Sequence, residues 1–235
     1  MSGKTAGNKV LIVVTSHGEM GDTGKETGFW MSEMTHPYKV ITDAGYEVDI
    51  ASIEGGKAPI DPRSIEGDNA NDPANKMFLD NPDMMAKISN TMKLSDVTLT
   101  DYRAIVFAGG HGTMWDFPNS KAVQKMTAKM YESGGVVGAV CHGPAALVNV
   151  TLSDGTPLLK GKKVTAFTNE EEVAVELDKA VPFMLETKMK ERGATFSGAG
   201  NWQSNVVVDG RLVTGQNPAS AHELGKAVVR LLEQK

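Results

Sequence analysis

The sequence has a single cysteine in 235 residues. It can form no internal disulfide, so the chain is expected in a reducing compartment, the cytoplasm. One thiol gives no thiolate cluster for a metal, and no ligand spacing such as His-Glu-x-x-His occurs among the five histidines. No metal and no cofactor is therefore expected. No run approaches the roughly 18 apolar residues that span a bilayer, so no membrane partner is expected. Residues 1–9 are polar and lack the apolar region of a secretory leader. Positive charge is not in excess: 24 Lys and Arg stand against 29 Asp and Glu, for a net charge of -5, which argues against a nucleic-acid partner. The phosphate-loop pattern Gly-x-x-x-x-Gly-Lys-Ser/Thr is missing, and there are no internal repeats or low-complexity tracts.

What remains is an ordinary globular composition, 40% hydrophobic and 23% charged. The length suits one domain, residues 1–235, with a substantial core. Thirteen methionines are many. They fit irregular core gaps, or an adaptable binding surface of the kind a chaperone uses.

The cysteine sits in the most informative stretch. Residues 135–140 (GVVGAV) read as a buried strand that ends at Cys141, followed by His142, Gly143 and Pro144. Proline is tolerated in a first helical turn, so Gly143-Pro144 reads as a helix start. A side chain on so tight a strand-to-helix turn has the geometry of a nucleophile elbow, with Ala139 and Gly143 relieving the crowding two residues to either side. A helix N-terminus beneath a thiol favours thiolate, the reactive form. The plain alternative is a buried cysteine that only packs.

Strand-like runs occupy residues 9–15, 46–51, 103–108, 163–167 and the approach to Cys141. Helical patterns occupy 27–44, broken or restarted at Pro37, then 119–132, capped by Asn119 or Ser120, and 170–192, interrupted at Pro182, with an amphipathic helix over 219–233. Residues 205–209 and 211–214 flank Gly210 as a hairpin or two short strands. The alternation implies right-handed βαβ units: an α/β fold with a mainly parallel sheet and helices on both faces. Sites in such sheets form at the carboxyl ends of strands. His17, Gly109 to His111, Cys141 and Glu170 to Glu172 all fall there. Residues 55–96 carry Pro59, Pro62, Pro73 and Pro82 with little periodicity. They read as an excursion with short helices, one near 83–92, placed to cover the site.

Several groups suit chemistry at a thiol. His142 is adjacent to Cys141 but points elsewhere from a turn, so it reaches bound substrate or merely faces solvent. Glu33 lies among Trp30, Met31, Met34 and Tyr38. Buried there, it would have a raised pKa and would donate a hydrogen bond to a thiolate; on an exposed face it would join Lys39 and Asp43. Glu170, Glu171 and Glu172 open a helix. Capping accounts for two of them, and the third orients His142 as the last member of a triad. Gly109-Gly110-His111-Gly112 offers backbone N–H groups to an oxyanion, or serves only a tight turn.

Residues 27–38, 44–52, 108–118, 139–144, 167–172 and 212–220 together resemble the ThiJ/PfpI superfamily, from about Lys9 to the C-terminus. The resemblance is to the branch of glutathione-independent glyoxalases (glyoxalase III) and stress-induced holding chaperones. It implies a class I glutamine-amidotransferase-like, flavodoxin-like fold with a small cap at about residues 55–96. It implies Cys141 as nucleophile, Glu33 as the carboxyl beside the sulfur, His142 as proton shuttle and Glu172 as the acid that orients it. Glu170 and Glu171 leave that register open. Gly109, Gly110 and the backbone of His142 would line the oxyanion pocket. Some relatives bind zinc downstream of the helix holding Glu33; no ligand set occurs there in this chain, and the metal is not carried over.

The implied activity is that of a hydro-lyase of the glyoxalase III, D-lactate dehydratase type. It converts methylglyoxal, a small dicarbonyl, to lactate through a cysteine hemithioacetal, with no external thiol. A homodimer is implied, and unfolded client proteins are further partners if the chain also acts as a holding chaperone. Protein deglycase, cysteine peptidase or amidase, and redox sensor are the competing readings.

Overall fold

The computed structural model describes residues 7–234; residues 1–6, within the stretch read as lacking a leader, lie outside the described residues. The chain opens with β1 (Lys9–Val14), α1 (Met31–Asp43) and β2 (Glu47–Ser52). The excursion follows, holding α2 (Pro73–Leu79), α3 (Pro82–Ser89) and the edge strand β3 (Met92–Lys93). Next come β4 (Tyr102–Phe107), the single turn α4 (Thr113–Asp116), α5 (Lys121–Glu132) and β5 (Val136–Val140). Then follow β6 (Lys163–Val164), α6 (Asn169–Ala174), α7 (Leu185–Glu191) and β7 (Thr195–Phe196). The chain closes with β8 (Val206–Asp209), β9 (Leu212–Gly215) and α8 (Ala221–Glu233). No helix among the described residues is long and apolar enough to cross a membrane.

The main sheet runs β3-β2-β1-β4-β5-β9-β8, parallel except for the antiparallel β8–β9 hairpin. Its central strands are apolar on both faces, as covered parallel strands must be. Leu11, Val13, Ile105, Phe107 and Val137 face Val123, Met126 and Met130 of α5. Val10, Ile12, Val14 and Val106 face Met31, Met34 and Ile41 of α1 and Leu224, Val228 and Leu232 of α8. Each such side chain contributes about 1.5–3 kcal/mol on burial. Seven methionines are in this core and Met92 is the one large exposed methionine among the described residues, so the methionines fill space rather than form a surface. From β1 the chain runs outward through β2 to β3, then crosses back to β4 on the other side of β1 and runs outward to β5. The ends of β1 and β4 therefore bound the switch point where an α/β sheet opens a crevice.

Four expectations are corrected. Helix α1 starts at Met31, because residues 27–30 are extended: Phe29 pairs with Ile60, its N–H donating to Pro59 O at 2.9 Å and its carbonyl accepting from Asp61 N at 2.9 Å. Pro37 does not break α1, whose first two turns are pinned between α2 and α8. Residues 163–167 are not a strand of the main sheet. β9 takes the place beside β5, and only β6 is strand, paired with β7 in a separate two-stranded sheet. Finally, Gly143–Ala146 is one 3-10 turn and not the start of an α-helix, so the segment after Cys141 supplies no α-helix dipole to it. Ser120 is the cap of α5, its hydroxyl accepting from Val123 N at 3.2 Å.

Helices α1 and α8 touch where Gly225 lacks a side chain. A Cβ there would lie 3.1 Å from Pro37 Cα and 3.2 Å from Val40 Cβ. Gly225→Val is expected to lower unfolding stability by about 1–3 kcal/mol, read from urea denaturation. An unchanged midpoint would show that the two helices separate without cost.

Candidate active site

The site is built where β1, β4 and β5 end. Cys141 has φ 61, a left-handed conformation that is strained for a residue with a side chain. Two hydrogen bonds clamp it: Cys141 N donates to Gly215 O at 2.9 Å, and Cys141 O accepts from Phe167 N at 2.9 Å. A side chain at 143 would collide with the Phe107 carbonyl, which fixes Gly143. The elbow thus exists without the helix. Its sulfur is nearly sealed, the residue being 4% exposed, so the thiol is recessed.

His142 lies on the other side of the turn, yet its ring folds back. Its Nδ1 is 3.5 Å from Cys141 Sγ and its Nε2 is 2.6 Å from Glu172 Oε2. A carboxylate only accepts, so Nε2 carries the hydrogen and Nδ1 is left free to take the thiol proton. The ring is held between His111 at 4.0 Å and Phe167 at 4.4 Å.

The three glutamates separate by function. Glu170 is exposed and accepts from Asn201. Glu171 is buried and forms a capping box with Thr168; its Oε1 accepts from Trp202 N, Gln216 Nε2 and Asn217 Nδ2. Glu172 meets His142 and also accepts from His111 Nε2 at 2.7 Å. Burial alone would raise the Glu172 carboxyl. The His142 charge and the hydrogen bonds from His111 and His142 outweigh it and hold the group well below the usual carboxylate range. The open register is therefore closed in space: Glu172 is the glutamate beside His142.

Glu33, in the first turn of α1, is fully buried and its carboxyl oxygens make no well-formed hydrogen bond, only the Cys141 thiol and the Gly109 N–H lying near enough to act on them. The absent side chain of Gly109 makes room for it, since a Cβ there would press on the carboxyl and lie 2.5 Å from Val140 O. Burial pushes Glu33 up to about 8, against weaker opposing contributions from Cys141 and the Gly109 N–H. Burial also raises the Cys141 thiol, and an ionised Glu33 raises it further. The two titrate as a pair. A protonated Glu33 removes that repulsion and offers the sulfur anion a donor, so the neutral carboxyl is the state compatible with thiolate. Gly110, with φ 104, follows Gly109, whose backbone abuts His142 N; neither the Gly110 N–H nor the His142 N–H donates to a protein group among the described residues.

The sequence put His111 among the groups at strand carboxyl ends without giving it a role, and passed over Arg63. Both belong to the cluster. Arg63 Nη2 lies 3.3 Å from His111 Nδ1. Burial, then the charge of His142, lowers His111 to about 4, so it is neutral. His17 is apart from the cluster, stacked on Trp115 at 5.1 Å. Donor atoms of His111, His142 and Glu172 lie within 4.8 Å of one another, a grouping assembled across 61 residues that linear spacing does not reveal. Two imidazole N–H groups already satisfy that carboxylate, and a metal there would have to displace both hydrogens.

Two outcomes follow. Glu171→Ala would remove the acceptor of Trp202 N, Gln216 Nε2, Asn217 Nδ2 and the buried Thr168 N and is expected to cost about 2–4 kcal/mol, whereas Glu170→Ala is expected near zero; thermal melts of both compare them. Glu33 binds its proton more tightly folded than unfolded, where its ordinary value is 4.5. Its contribution to stability therefore falls as pH rises from about 4.5 to about 8, by up to about 1.4 kcal/mol per unit. Glu33→Gln is expected to remove that slope in urea titrations across the window, and an unchanged slope would place the proton elsewhere.

Known proteins share this arrangement of chain. The pattern of the DJ-1/PfpI family matches residues 25–231. The glutathione-independent glyoxalase HSP31 of Saccharomyces cerevisiae is 35% identical over 225 residues, covering 92% of this chain and 94% of that protein. The X-ray structure of Rapid Encystment Protein 24 kDa from Francisella tularensis is 45% identical with a TM-score of 0.92, covering 95% of this chain and 98% of that one. The crystal structure of glyoxalase III from Candida albicans is 37% identical with a TM-score of 0.86, covering 95% and 96%. With its mostly parallel flavodoxin-like sheet, its elbow cysteine and this full-length likeness, the chain belongs to the DJ-1/PfpI (ThiJ/PfpI) family.

Proposed function

We propose that this protein is a glutathione-independent glyoxalase that converts methylglyoxal to lactate, a hydro-lyase since the two differ by one water. The observation that carries the reading is the Cys141–His142–Glu172 relay set beside the buried Glu33 carboxyl. Relatives named as glyoxalases that align over nearly the whole chain support it.

The Cys141 sulfur adds to the aldehyde carbon while its proton passes to His142 Nδ1. Glu172, already ionised, steadies the imidazolium that forms. The aldehyde oxygen develops negative charge at the N–H groups of Gly110 and His142. In the resulting hemithioacetal the hydrogen on the first carbon leaves as a proton and the adjacent carbonyl oxygen is protonated, giving an enediol. A proton then returns to the second carbon as the hydroxyl on the first carbon gives up its own and becomes the carbonyl. Glu33 and His142 exchange these protons, for which a carboxyl near pKa 8 is suited at neutral pH. The product is a lactoyl thioester on Cys141. Water cleaves it, releasing lactate and restoring the thiol, so no external thiol enters.

We further propose that residues 55–96 act as the cap of one domain, that the enzyme is a cytoplasmic homodimer, and that its substrates are small dicarbonyls. The recessed sulfur disfavours a peptide substrate. A holding activity toward client proteins would reside on exposed apolar groups such as Val173 and Trp202, and would not need the sulfur.

Lactate formation from methylglyoxal, assayed without glutathione or added metal, tests the reading. Cys141→Ala is expected to abolish it with the fold intact by circular dichroism. Glu33→Gln is expected to lower kcat by about 10²–10⁴-fold. Full turnover by the Cys141 variant would end the proposal, and loss of turnover with retained suppression of client aggregation would separate the two activities.

A further inference from the structure

Arg63 enters the site from outside the sheet. It stands on the 3-10 turn Pro62–Ile65 of the excursion, next to Asp61, whose carboxyl is completely buried. Asp61 grips one edge of the guanidinium: Nε donates to Oδ1 at 3.0 Å and Nη2 to Oδ2 at 2.6 Å. Thr27 Oγ1 donates to the same carboxylate at 2.9 Å, and Asp61 N donates to the Phe29 carbonyl, so the anchor is itself anchored to the entry of α1. The guanidinium also lies over the Trp30 ring, 5.6 Å from its centroid.

The other edge faces the relay. Nη2 donates to His111 Nδ1, and His111 Nε2 donates to Glu172, which receives His142 on its other oxygen. Cys141 and Glu172 both feel the Arg63 charge. Among the described residues no group accepts from Nη1, and the side chain is 42% exposed. A guanidinium has five N–H donors in a rigid fork. Here three contacts hold the fork in place and its remaining donors stay free.

The charged neighbours matter to what those donors can hold. Asp61 balances the Arg63 charge on the anchored edge, Glu172 is engaged by two imidazole N–H groups, and Glu33 is neutral below about 8. Nη1 thus keeps two free N–H donors on a half-exposed guanidinium whose charge reaches Cys141.

We propose that Arg63 forms an oxyanion and carboxylate subsite beside Cys141, receiving the second oxygen of a vicinal dicarbonyl as it becomes enediolate and then the carboxylate of the 2-hydroxy acid product. This inference rests on the glyoxalase reading for the identity of the ligand, but its geometry does not need turnover. It makes the excursion a contributor to the site as well as its cover. It also accounts for a buried aspartate placed two residues from the arginine: Asp61 fixes the fork so that little side-chain freedom is lost when a ligand arrives.

Alkylation of Cys141 tests the subsite without any turnover. Iodoacetate carries a carboxylate and iodoacetamide does not. The rate ratio of iodoacetate to iodoacetamide, followed by intact mass, is expected to fall about tenfold in Arg63→Met, the scale of one charge interaction near a protein surface. Arg63→Lys is expected to keep more of the ratio than Arg63→Met. In the unaltered protein, added lactate is expected to slow iodoacetamide alkylation with saturation, a measurement that stands even if the variants fail to fold. An unchanged ratio in folded Arg63→Met, or no protection by lactate, would overturn the proposal. Loss of the ratio in a protein that makes no lactate from methylglyoxal would keep the subsite and remove the glyoxalase reading instead.

Discussion

The arrangement depends on one unfavourable burial: a carboxyl with no well-formed hydrogen bond, Glu33, set against the sulfur of Cys141. An ionised carboxylate in that position would face the full cost of desolvation and would repel a thiolate. Burial resolves the conflict by keeping the proton on Glu33 up to about pH 8. The group is then a neutral acid beside a nucleophile, in a pocket where ordinary glutamates would be anions. Residues around it make this state compulsory. Gly109 leaves room, Met31 and Met34 surround α1 with hydrocarbon, and the strained backbone at Cys141 aims the sulfur back toward the helix.

The sheet supplies the rest. β4 and β5 end side by side, which brings the Gly109–Gly112 turn next to the elbow. The chain that follows passes over the strand ends instead of adding a strand, and so lays Phe167 and α6 against His142. Neighbouring glutamates on α6 consequently have opposite duties. Glu171 closes the loops around Trp202 and Asn217, and Glu172 holds two histidines. The excursion is tied to α1 and its entry through Phe29, Thr35–Asn75 and Tyr38–Phe78, so the segment that carries Arg63 is held against the helix that carries Glu33.

Much of this was legible in the sequence, for physical reasons. Apolar runs with short breaks marked β1, β2, β4 and β5, and a lone cysteine after such a run marked the elbow. Glu33 was readable as a candidate from the apolar residues around it, Trp30, Met31, Met34 and Tyr38, while its role beside the sulfur came from the family resemblance. Other features were hidden. The 3-10 turn after Cys141 differs from a helix only by what packs on it. The placement of residues 163–167 off the sheet was decided by β9, more than 45 positions later. Pro37 within a helix reflects tertiary support overriding local propensity. His111 was legible as a residue at a strand end but, like Arg63, had no legible role, because a histidine in a glycine turn and an arginine after a proline acquire one only when the fold brings them within 3.3 Å.

The most direct test is infrared difference spectroscopy of the carboxyl C=O stretch as pH is varied. The account predicts a protonated carboxylic acid at neutral pH that disappears near pH 8 and is absent from the Glu33→Gln protein. A spectrum at neutral pH showing only ionised carboxylates, identical in the two proteins, would contradict it.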